Sequence, residues 1–317
     1  MSMSGAQTGV TIQYLTFDGA RPSMNTRNTA GDTEADLDLS TAGWATVEYV
    51  YFINAPWDAL WLGGGASSIS PSAASTVSYS TFGGGFSSHG YSETAEQTAT
   101  LYTGVFMFND YTGAYYNSIN FAGTAAINMF TGSTQLVYGN SINSNRYEQP
   151  GGVSGGQVYV NYQTTYATVG NNTINGDYWY TNMAQDRNPA NPHYVRCLPG
   201  TGFWPFGIEG FGTGSRYYNN QIEQNIGFGM LLRAWGAGYT LDSAIISGYD
   251  PFCTSGCTPQ YVTNNGGCWS LSGKCYYTGS GSGWPASMVI AGISVNNALG
   301  GNITNLTLAR PRPIDSQ

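Results

Sequence analysis

Charged residues are scarce in this chain. Only 9% of its 317 residues are Asp, Glu, Lys or Arg, whereas roughly 25% is usual in globular proteins. The 10 basic residues form no run, and the formal net charge is −8. Because binding to nucleic-acid phosphates or to an anionic membrane needs clustered Lys and Arg, we expect neither nucleic acid nor membrane as a partner.

Long apolar runs and helical periodicity are also missing. No stretch approaches the roughly 18 consecutive apolar residues of a membrane-spanning helix. No segment keeps a helical spacing of apolar residues for the length of a helix, so we predict almost no helix. Gly (44), Tyr (24), Trp (8), Ser, Thr and Asn are plentiful instead, and this composition favours β-structure over disorder.

No signal peptide is visible at the N-terminus. The segment 1–10 (MSMSGAQTGV) has neither the basic nor the apolar region of a secretion signal. A strand pattern follows at once in VTIQYLTF (10–17). We therefore expect that an upstream segment has been removed, or that the chain is part of a longer protein.

One short phrase recurs along the chain, in which an Asn stands shortly before an Ile. The copies are YYNSINFAG (115–123), VYGNSINSN (137–145), VGNNTINGD (169–177), YYNNQIEQN (217–225) and, more weakly, TLDSAIISG (240–248). Two of the intervals are just over twenty residues, which is the length of one turn of a stacked repeat fold. Strand-favouring residues at this period predict a parallel β-solenoid, in which stacked Asn side chains bond the backbone at each bend.

Short alternating segments accompany the phrase and fall into pairs, each resembling half a turn or more. Aligning them on their apolar positions, such as Leu37, Leu39, Leu60 and Leu62, predicts which side chains face outward. The outward column reads Asp38, Trp61, Asn128, Tyr159 and Glu209, with Arg233 near its end.

Insertions interrupt the repeat at 83–103, 146–156, 177–206 and 248–286. In repeat folds, insertions tend to emerge on one face, and that face is often the binding face. We predict a single β-solenoid domain over 1–317 with these loop insertions.

The period, the Asn phrases and the paired strands resemble those of right-handed parallel β-helix proteins of the pectate-lyase-like superfamily, over roughly residues 10–310. The resemblance implies an all-β right-handed parallel β-helix and, for members with activity, a glycan bound along one parallel sheet. It does not choose among lyases, hydrolases, epimerases, adhesins and proteins without known chemistry. The lone Lys274 and the missing motifs of the hydrolases and epimerases depart from the enzyme patterns.

Three carboxylates and one arginine are the candidates for catalysis. Glycosidases hold two carboxyl groups about 5–5.5 Å apart when they retain configuration and about 6.5–9.5 Å apart when they invert it. Glu209, which glycines flank in FGIEGFG, is the first candidate, and Asp38 or Asp177 is the second. Arg233 is expected to pair with Glu209, in catalysis or as a structural ion pair.

Aromatic and amide side chains are the candidates for substrate binding. Flat rings and amides suit sugars, because a sugar ring has apolar faces and polar edges. The candidates are Trp61, Asn128, Tyr159, Trp179 and Trp204. The alternative is that the aromatics pack within the β-helix.

Alternating acids in DTEADLD (32–38) are the candidates for metal binding. In an extended strand Asp32, Glu34, Asp36 and Asp38 share one face, and such an oxygen cluster suits Ca²⁺. The alternatives are an acid/base pair that includes Asp38, and a solvated edge that blocks strand pairing.

Four of the five cysteines lie between Cys253 and Cys275 in a loop-like segment. Disulfides are the first interpretation, and they imply an oxidising compartment. A zinc site is the second, although the first pair is one residue too wide for CxxC. We therefore expect an extracellular or cell-surface protein.

Two functions remain open at this point. The first is an extracellular protein that binds and degrades a polysaccharide, as a glycoside hydrolase in preference to a lyase. The second is a non-enzymatic structural, filament-forming or adhesive β-helix that associates with itself through the ends of the solenoid.

Overall fold

The computed structural model describes about half of the chain, in ranges between residues 8 and 308. The described residues are 8–19, 35–55, 57–63, 74–83, 103–120, 122, 125–143, 155–175, 205–223, 230–233, 240–242, 245–246, 267–269, 275–277, 293–296, 302–304 and 307–308.

Three parallel sheets form the body of the protein. Sheet 1 contains, in spatial order, β1 (Thr8–Gln13), β4 (Trp44–Glu48), β7 (Thr76–Ser78), β10 (Gly113–Tyr115), β13 (Leu136–Tyr138), β16 (Thr168–Gly170), β19 (Arg216–Tyr218), β22 (Thr240–Asp242) and β27 (Asn302–Thr304). Sheet 2 contains β2 (Thr16–Asp18), β5 (Tyr51–Ile53), β8 (Thr81–Phe82), β11 (Ser118–Asn120), β14 (Ser141–Asn143), β17 (Thr173–Asn175), β20 (Gln221–Glu223), β23 (Ile245–Ile246) and β28 (Thr307–Leu308). Sheet 3 contains β3 (Ala35–Leu39), β6 (Asp58–Leu62), β9 (Thr103–Phe108), β12 (Ala125–Ser133), β15 (Gly155–Thr165), β18 (Pro205–Gly210), β21 (Met230–Arg233) and β26 (Ile293–Asn296).

Within these sheets, each strand pairs in parallel with a strand of the preceding turn of the chain, of the following turn, or of both. The chain passes from sheet 1 to sheet 2 to sheet 3 and then returns to sheet 1 one turn further along. This arrangement is a right-handed parallel β-helix, and it confirms the predicted fold class. Within the described ranges there is no helix, and therefore none that could cross a membrane.

A small hairpin stands apart from the three sheets. Its strands, β24 (Gly267–Trp269) and β25 (Cys275–Tyr277), are antiparallel and place Cys268 opposite Tyr276. Cys197, Cys253 and Cys257 lie outside the described residues, so the predicted disulfides remain a prediction.

The core is built from columns of identical or similar side chains. The recurring isoleucines lie opposite one another in sheet 2, in the order Ile119, Ile142, Ile174 and Ile222, and all four are fully buried. Phe17, Phe52 and Phe82 continue this column toward the N-terminus, with ring centroids 5.2 and 4.7 Å apart. One apolar residue per turn at the same position therefore gives a continuous core.

Four buried asparagines form a ladder at the bend between sheets 1 and 2. The asparagine ladder consists of Asn117, Asn140, Asn172 and Asn220. The side-chain Nδ2 of Asn140 donates to Oδ1 of Asn172 at 3.0 Å and to the carbonyl oxygen of Ala114 at 3.0 Å. Its Oδ1 accepts from both the backbone N and the Nδ2 of Asn117, at 2.9 and 3.0 Å. The predicted stacking of the Asn phrases is confirmed.

The long connections mostly share one corner. The segments 19–34, 83–102, 144–154, 176–204 and 247–292 all join a strand of sheet 2 to the next strand of sheet 3, whereas 63–75 joins sheet 3 to sheet 1. Three of the predicted insertions end slightly earlier than expected, because Thr103, Gly155 and Pro205 already belong to strands. The connections therefore enter the strands of sheet 3 from one edge.

Candidate functional site

The outer face of sheet 3 carries the predicted outward column. Successive strands place these residues opposite one another in the order Asp38, Trp61, Phe106, Asn128, Tyr159 and Glu209. Alignment of the sequence on its apolar positions found all of them except Phe106. The alternation of Phe106 with Val105 and Met107, which are fully buried, is the signal that could have placed it.

Four aromatic rings form a cluster on this face. The aromatic cluster consists of Trp61, Phe106, Phe108 and Phe130, all half-buried. Phe106 lies 4.9 Å from Phe108 and 5.0 Å from Phe130, measured between ring centroids, and the Trp61 ring meets Phe108 edge to face at 5.9 Å. Phe130 is the extra residue of a β-bulge in β12 relative to β9. Bulges commonly redirect a side chain beside a functional site, and here the bulge contributes the fourth ring.

A second aromatic pair lies further along the same face. The rings of Tyr159 and Phe211 meet edge to face at 5.7 Å. Asn128 lies between the two aromatic groups, one strand from Phe106 and one from Tyr159. Its Oδ1 is buried and has no hydrogen-bond partner within the described part of the chain. A row of rings interrupted by one amide side chain therefore extends along the sheet.

Glu209 lies beside the second pair and is fully buried. It stands directly opposite Tyr159 in the neighbouring strand and two residues before Phe211. Gly156 permits this packing, since a Cβ at Gly156 would lie 2.5 Å from the backbone N of Glu209. Gly156 on the neighbouring strand thus allows close strand packing, and Glu209 is buried, whereas its place in the predicted outward column suggested an open carboxylate.

Asp58 is a site residue that sequence reasoning missed. Its carboxylate accepts hydrogen bonds from Trp61 Nε1 at 2.6 Å and from the backbone N of Thr103 at 2.9 Å. Burial raises the pKa of Asp58 from 3.8 to about 7, although these donors oppose the shift. Asp58 therefore holds the Trp61 indole in place and titrates close to neutral pH.

Asp38 lies at the far end of the column from Glu209. Its Oδ1 accepts from the backbone N and the hydroxyl of Ser40, at 2.9 and 2.6 Å, which is a local turn. Five strand spacings separate Asp38 from Glu209, or about 24 Å. Because a glycosidase needs its two carboxyl groups within about 10 Å, these two cannot serve one cleavage event. Of the predicted partners for Glu209, this leaves Asp177.

Arg233 ends β21 in the strand next to Glu209. Its backbone stands opposite Asn296, and Leu231, two residues earlier, stands opposite Glu209. The two residues are therefore diagonal neighbours on adjacent strands. The predicted ion pair between them remains a prediction.

Other predicted site residues fall outside the described ranges. They are Asp177, Trp179, Trp204, Asp32 and Glu34. Of the predicted Ca²⁺ ligands, Asp36 and Asp38 lie on β3, where Leu37 and Leu39 between and beside them are fully buried as expected. Across the described ranges, no three His, Cys, Asp or Glu residues are arranged to hold a metal ion. The Ca²⁺ site remains a prediction.

Comparison with known proteins found no matching family model, no matching curated protein and no matching solved structure. The fold therefore defines the class as a right-handed parallel β-helix, and function must be argued from the site itself.

Proposed function

We propose that this protein binds a polysaccharide along the outer face of sheet 3 and cleaves it there by hydrolysis. The observation that carries the proposal is the row of rings and one amide from Trp61 to Phe211. From β6 to β18 this row spans four strand spacings, or about 19 Å. A row of that length fits an extended oligosaccharide better than a single small molecule.

The chemistry of the row suits sugars. Half-buried rings offer apolar surface to the C–H faces of a sugar, and the half-buried amide of Asn128 between them is suited to hydrogen-bond a hydroxyl group. The hydrogen bond from Trp61 to Asp58 fixes the indole, so little side-chain freedom would be lost on binding. Scarce charge and a net charge of −8 favour a neutral glycan over a polyanionic one.

Glu209 is the proposed acid or base of the cleavage step, and this role requires its carboxyl group, which is fully buried in this structure, to become accessible when the substrate binds. It lies beside Tyr159, at the far end of the row from Trp61. Asp177 is proposed as its partner carboxylate, and Arg233 as the residue that balances charge. Hydrolysis is favoured over β-elimination because the chain has a single Lys, Lys274, and few basic residues to act as the base of a lyase.

Polysaccharide binding is tested first. The full chain and the Trp61→Ala variant are run by affinity electrophoresis through gels that contain one neutral or acidic polysaccharide each. Loss of a buried aromatic contact should weaken binding about tenfold or more. Tyr51→Ala, which removes an exposed ring from sheet 2, is the matched control and should leave binding unchanged. If the full chain and both variants are retarded equally, the polysaccharide does not bind at Trp61 on the outer face of sheet 3.

Cleavage is tested separately. The polysaccharides that bind are incubated with the protein and followed for new reducing ends and for the ultraviolet absorbance of unsaturated uronides. Reducing ends without absorbance are expected, and Glu209→Gln should abolish them while circular dichroism stays unchanged. Both signals together would indicate a lyase. Binding without either signal would indicate an extracellular protein that binds carbohydrate and does not cleave it.

A structural role is the second candidate. Among the described residues β1 pairs only with β4 and β2 only with β5, so each is an edge strand of its sheet in this part of the chain. Such an edge can pair with the last turn of another copy and give filaments. Filaments in negative-stain images that form at rising concentration, with no binding to any polysaccharide, would favour this function.

A further inference from the structure

Four tyrosines stack on the outside of the bend between sheets 1 and 2. The tyrosine stack consists of Tyr14, Tyr49, Tyr79 and Tyr116, each of which directly follows a strand of sheet 1. Successive ring centroids are 5.3, 5.5 and 5.4 Å apart, and the rings are within 13° of parallel. The side chains are 75%, 43%, 52% and 48% exposed, so the stack lies in solvent.

The backbone at these positions is unfavourable for tyrosine. All four residues have positive φ angles, between 49° and 56°, and a bulky residue in this region is uncommon. The next three turns place Gly139, Asn171 and Asn219 at the same bend with the same sign of φ, and these residue types adopt it easily. The bend therefore does not need tyrosine. A strained and exposed residue type that recurs in four turns points to a role beyond folding.

The geometry of the stack limits what it can recognise. Neighbouring rings cover the faces of Tyr49 and Tyr79, so a sugar cannot stack on them as it can on a single exposed ring. The four tyrosines nevertheless remain 43–75% exposed. What the stack offers is a series of phenols held in mutual contact, which is the arrangement that favours radical coupling of one phenol to the next.

We propose that the tyrosine stack is a site of oxidative cross-linking, in which phenols on neighbouring turns are joined as dityrosine. The oxidant is hydrogen peroxide used by a heme peroxidase. Each of two phenols gives up its hydroxyl hydrogen atom, the two phenoxyl radicals form a carbon–carbon bond between their ortho carbons, and the two ortho hydrogens move to the oxygens. The pair loses two hydrogen atoms in total, and one hydrogen peroxide is reduced to two waters.

The cross-link would fasten successive turns of the solenoid to each other. A bond between Tyr14 and Tyr49 joins the turn that contains β1 and β2 to the turn that contains β4 and β5. It also closes the long connection 19–34 into a covalent loop. Closing a loop restricts the unfolded chain and therefore stabilises the folded one, as a disulfide does. This inference does not depend on polysaccharide binding.

The test uses the full chain in dilute solution with a heme peroxidase and hydrogen peroxide. We expect dityrosine fluorescence, a chain that remains monomeric on a denaturing gel, and an intact mass lower by two hydrogen atoms for each bond. Digestion after Asp and Glu separates the stacked tyrosines, since Asp18 and Glu48 lie between Tyr14 and Tyr49. The expected products are peptides joined through neighbouring members of the stack, and the cross-linked monomer should unfold at a higher temperature.

Two double variants test whether stacking, and not exposure alone, decides which tyrosines become cross-linked. Tyr49→Phe with Tyr79→Phe keeps all the rings but leaves Tyr14 without a neighbouring phenol in the stack, so every cross-linked peptide that contains Tyr14 should be lost. Tyr51→Phe with Tyr166→Phe removes two phenols of similar exposure, 56% and 63%, that lie outside the stack, and should change nothing. The single variant Tyr14→Phe should lose only the links to Tyr14. The proposal is overturned if dityrosine joins Tyr51 or Tyr166 as readily as the stacked residues, or if only intermolecular links form.

Discussion

The bend between sheets 1 and 2 is held from the outside in the first turns and from the inside in the later ones. In the first four turns the tyrosine stack covers the outer side. In the later turns the asparagine ladder fills the inner side, and small or amide residues replace tyrosine outside. The two devices meet in a single turn, where Tyr116 stacks outside and Asn117 begins the ladder inside. In the preceding turn, Ser80 is the inner residue and its backbone N donates to Asn117 Oδ1 at 3.0 Å.

The comparison shows that one backbone bend can be stabilised in two energetically different ways. A stacked aromatic pair contributes about 0.5–1.5 kcal/mol beyond the area it buries. Removing one partner of a buried hydrogen bond costs about 1–3 kcal/mol for each group left unsatisfied. Because each ladder residue bonds both its neighbour and the backbone, we expect the ladder half to be the more sensitive to substitution.

The largest expected effect is a change of stability with pH. It comes from Asp58 in sheet 3, whereas the tyrosine stack and the asparagine ladder at the bend are uncharged. The folded-state pKa of Asp58 is about 7, above its ordinary value of 3.8, so the folded state holds the proton more tightly than the unfolded state does. Stability should therefore be greatest below about pH 4 as far as this group is concerned, and should fall as pH rises to about 7, by up to about 4 kcal/mol. Urea unfolding measured across this range checks the slope.

The Asp58→Asn variant is the control for that slope. Asn cannot ionise, so the difference in unfolding free energy between wild type and variant isolates the contribution of Asp58 from that of the other carboxylates. One of the two donors, Trp61 Nε1 or Thr103 N, loses its acceptor oxygen, which costs about 1 kcal/mol at every pH. A difference that stays constant with pH would contradict the raised pKa.

The next largest effect on stability is expected from a variant that breaks the asparagine ladder. Asn140→Ala removes the acceptor for Asn117 and the donor to Ala114, both in a buried setting. We expect a loss of about 3 kcal/mol in the free energy of unfolding, measured by urea denaturation. Asn120→Ala, on the half-buried outer face of sheet 2, is the matched control and should cost about 1 kcal/mol or less. Similar losses in both would mean that the ladder contributes no more than a surface amide.

A smaller effect tests the turn where the stack ends. Gly139 has φ of +70°, and a Cβ there would lie 2.6 Å from the Tyr116 ring. Gly139→Ala should therefore cost about 2 kcal/mol, from backbone strain and from displacement of Tyr116. Thermal unfolding measures the loss. The same substitution in a Tyr116→Ala background should cost less, because the ring is gone, and an unchanged cost would assign the whole effect to the backbone.

The smallest expected effect distinguishes the cost of the positive φ angle at Tyr49 from the contribution of its ring contacts. Tyr49→Asn loses two ring contacts but places a residue that tolerates positive φ, so we expect a change of about 1 kcal/mol or less. Tyr49→Ala loses the same contacts and keeps the strain, so it should be less stable than the Asn variant by about 1 kcal/mol. Equal unfolding temperatures for the two variants would show that the positive φ costs little here.

Much of the architecture could be predicted from the sequence. The Asn phrase identified the ladder and the isoleucine column, because each copy repeats the same local pattern of bend, inward apolar residue and outward polar residue. The period-two alternation around Leu37, Leu60, Val158 and Ile208 placed the outward column of sheet 3 in the correct order. Both features depend on short-range patterns that the backbone geometry of a strand imposes.

The candidate site could be predicted only in part. Asp58 stands in line with the inward residues Leu60 and Leu62, and no local signal indicates that its carboxyl group bonds Trp61 and Thr103. Glu209 has glycine neighbours in the sequence, which suggested an exposed carboxylate, whereas Gly156 on the adjacent strand lets the two strands pack closely and Glu209 is buried. The wide separation of Asp38 and Glu209 depends on the number of strands between them.

The sequence by itself determined the β-helix, its core columns and the asparagine ladder, since these repeat once per turn and need no knowledge of distant contacts. Only the tertiary structure decided which rings are in contact and which carboxyl group is buried away from water. It alone also showed that four tyrosines form a stack. The physical reason is that neighbours in a solenoid are a full turn of chain apart, and the turns differ in length because insertions differ. Contacts between turns therefore follow from strand register, which spacing in the sequence does not reveal.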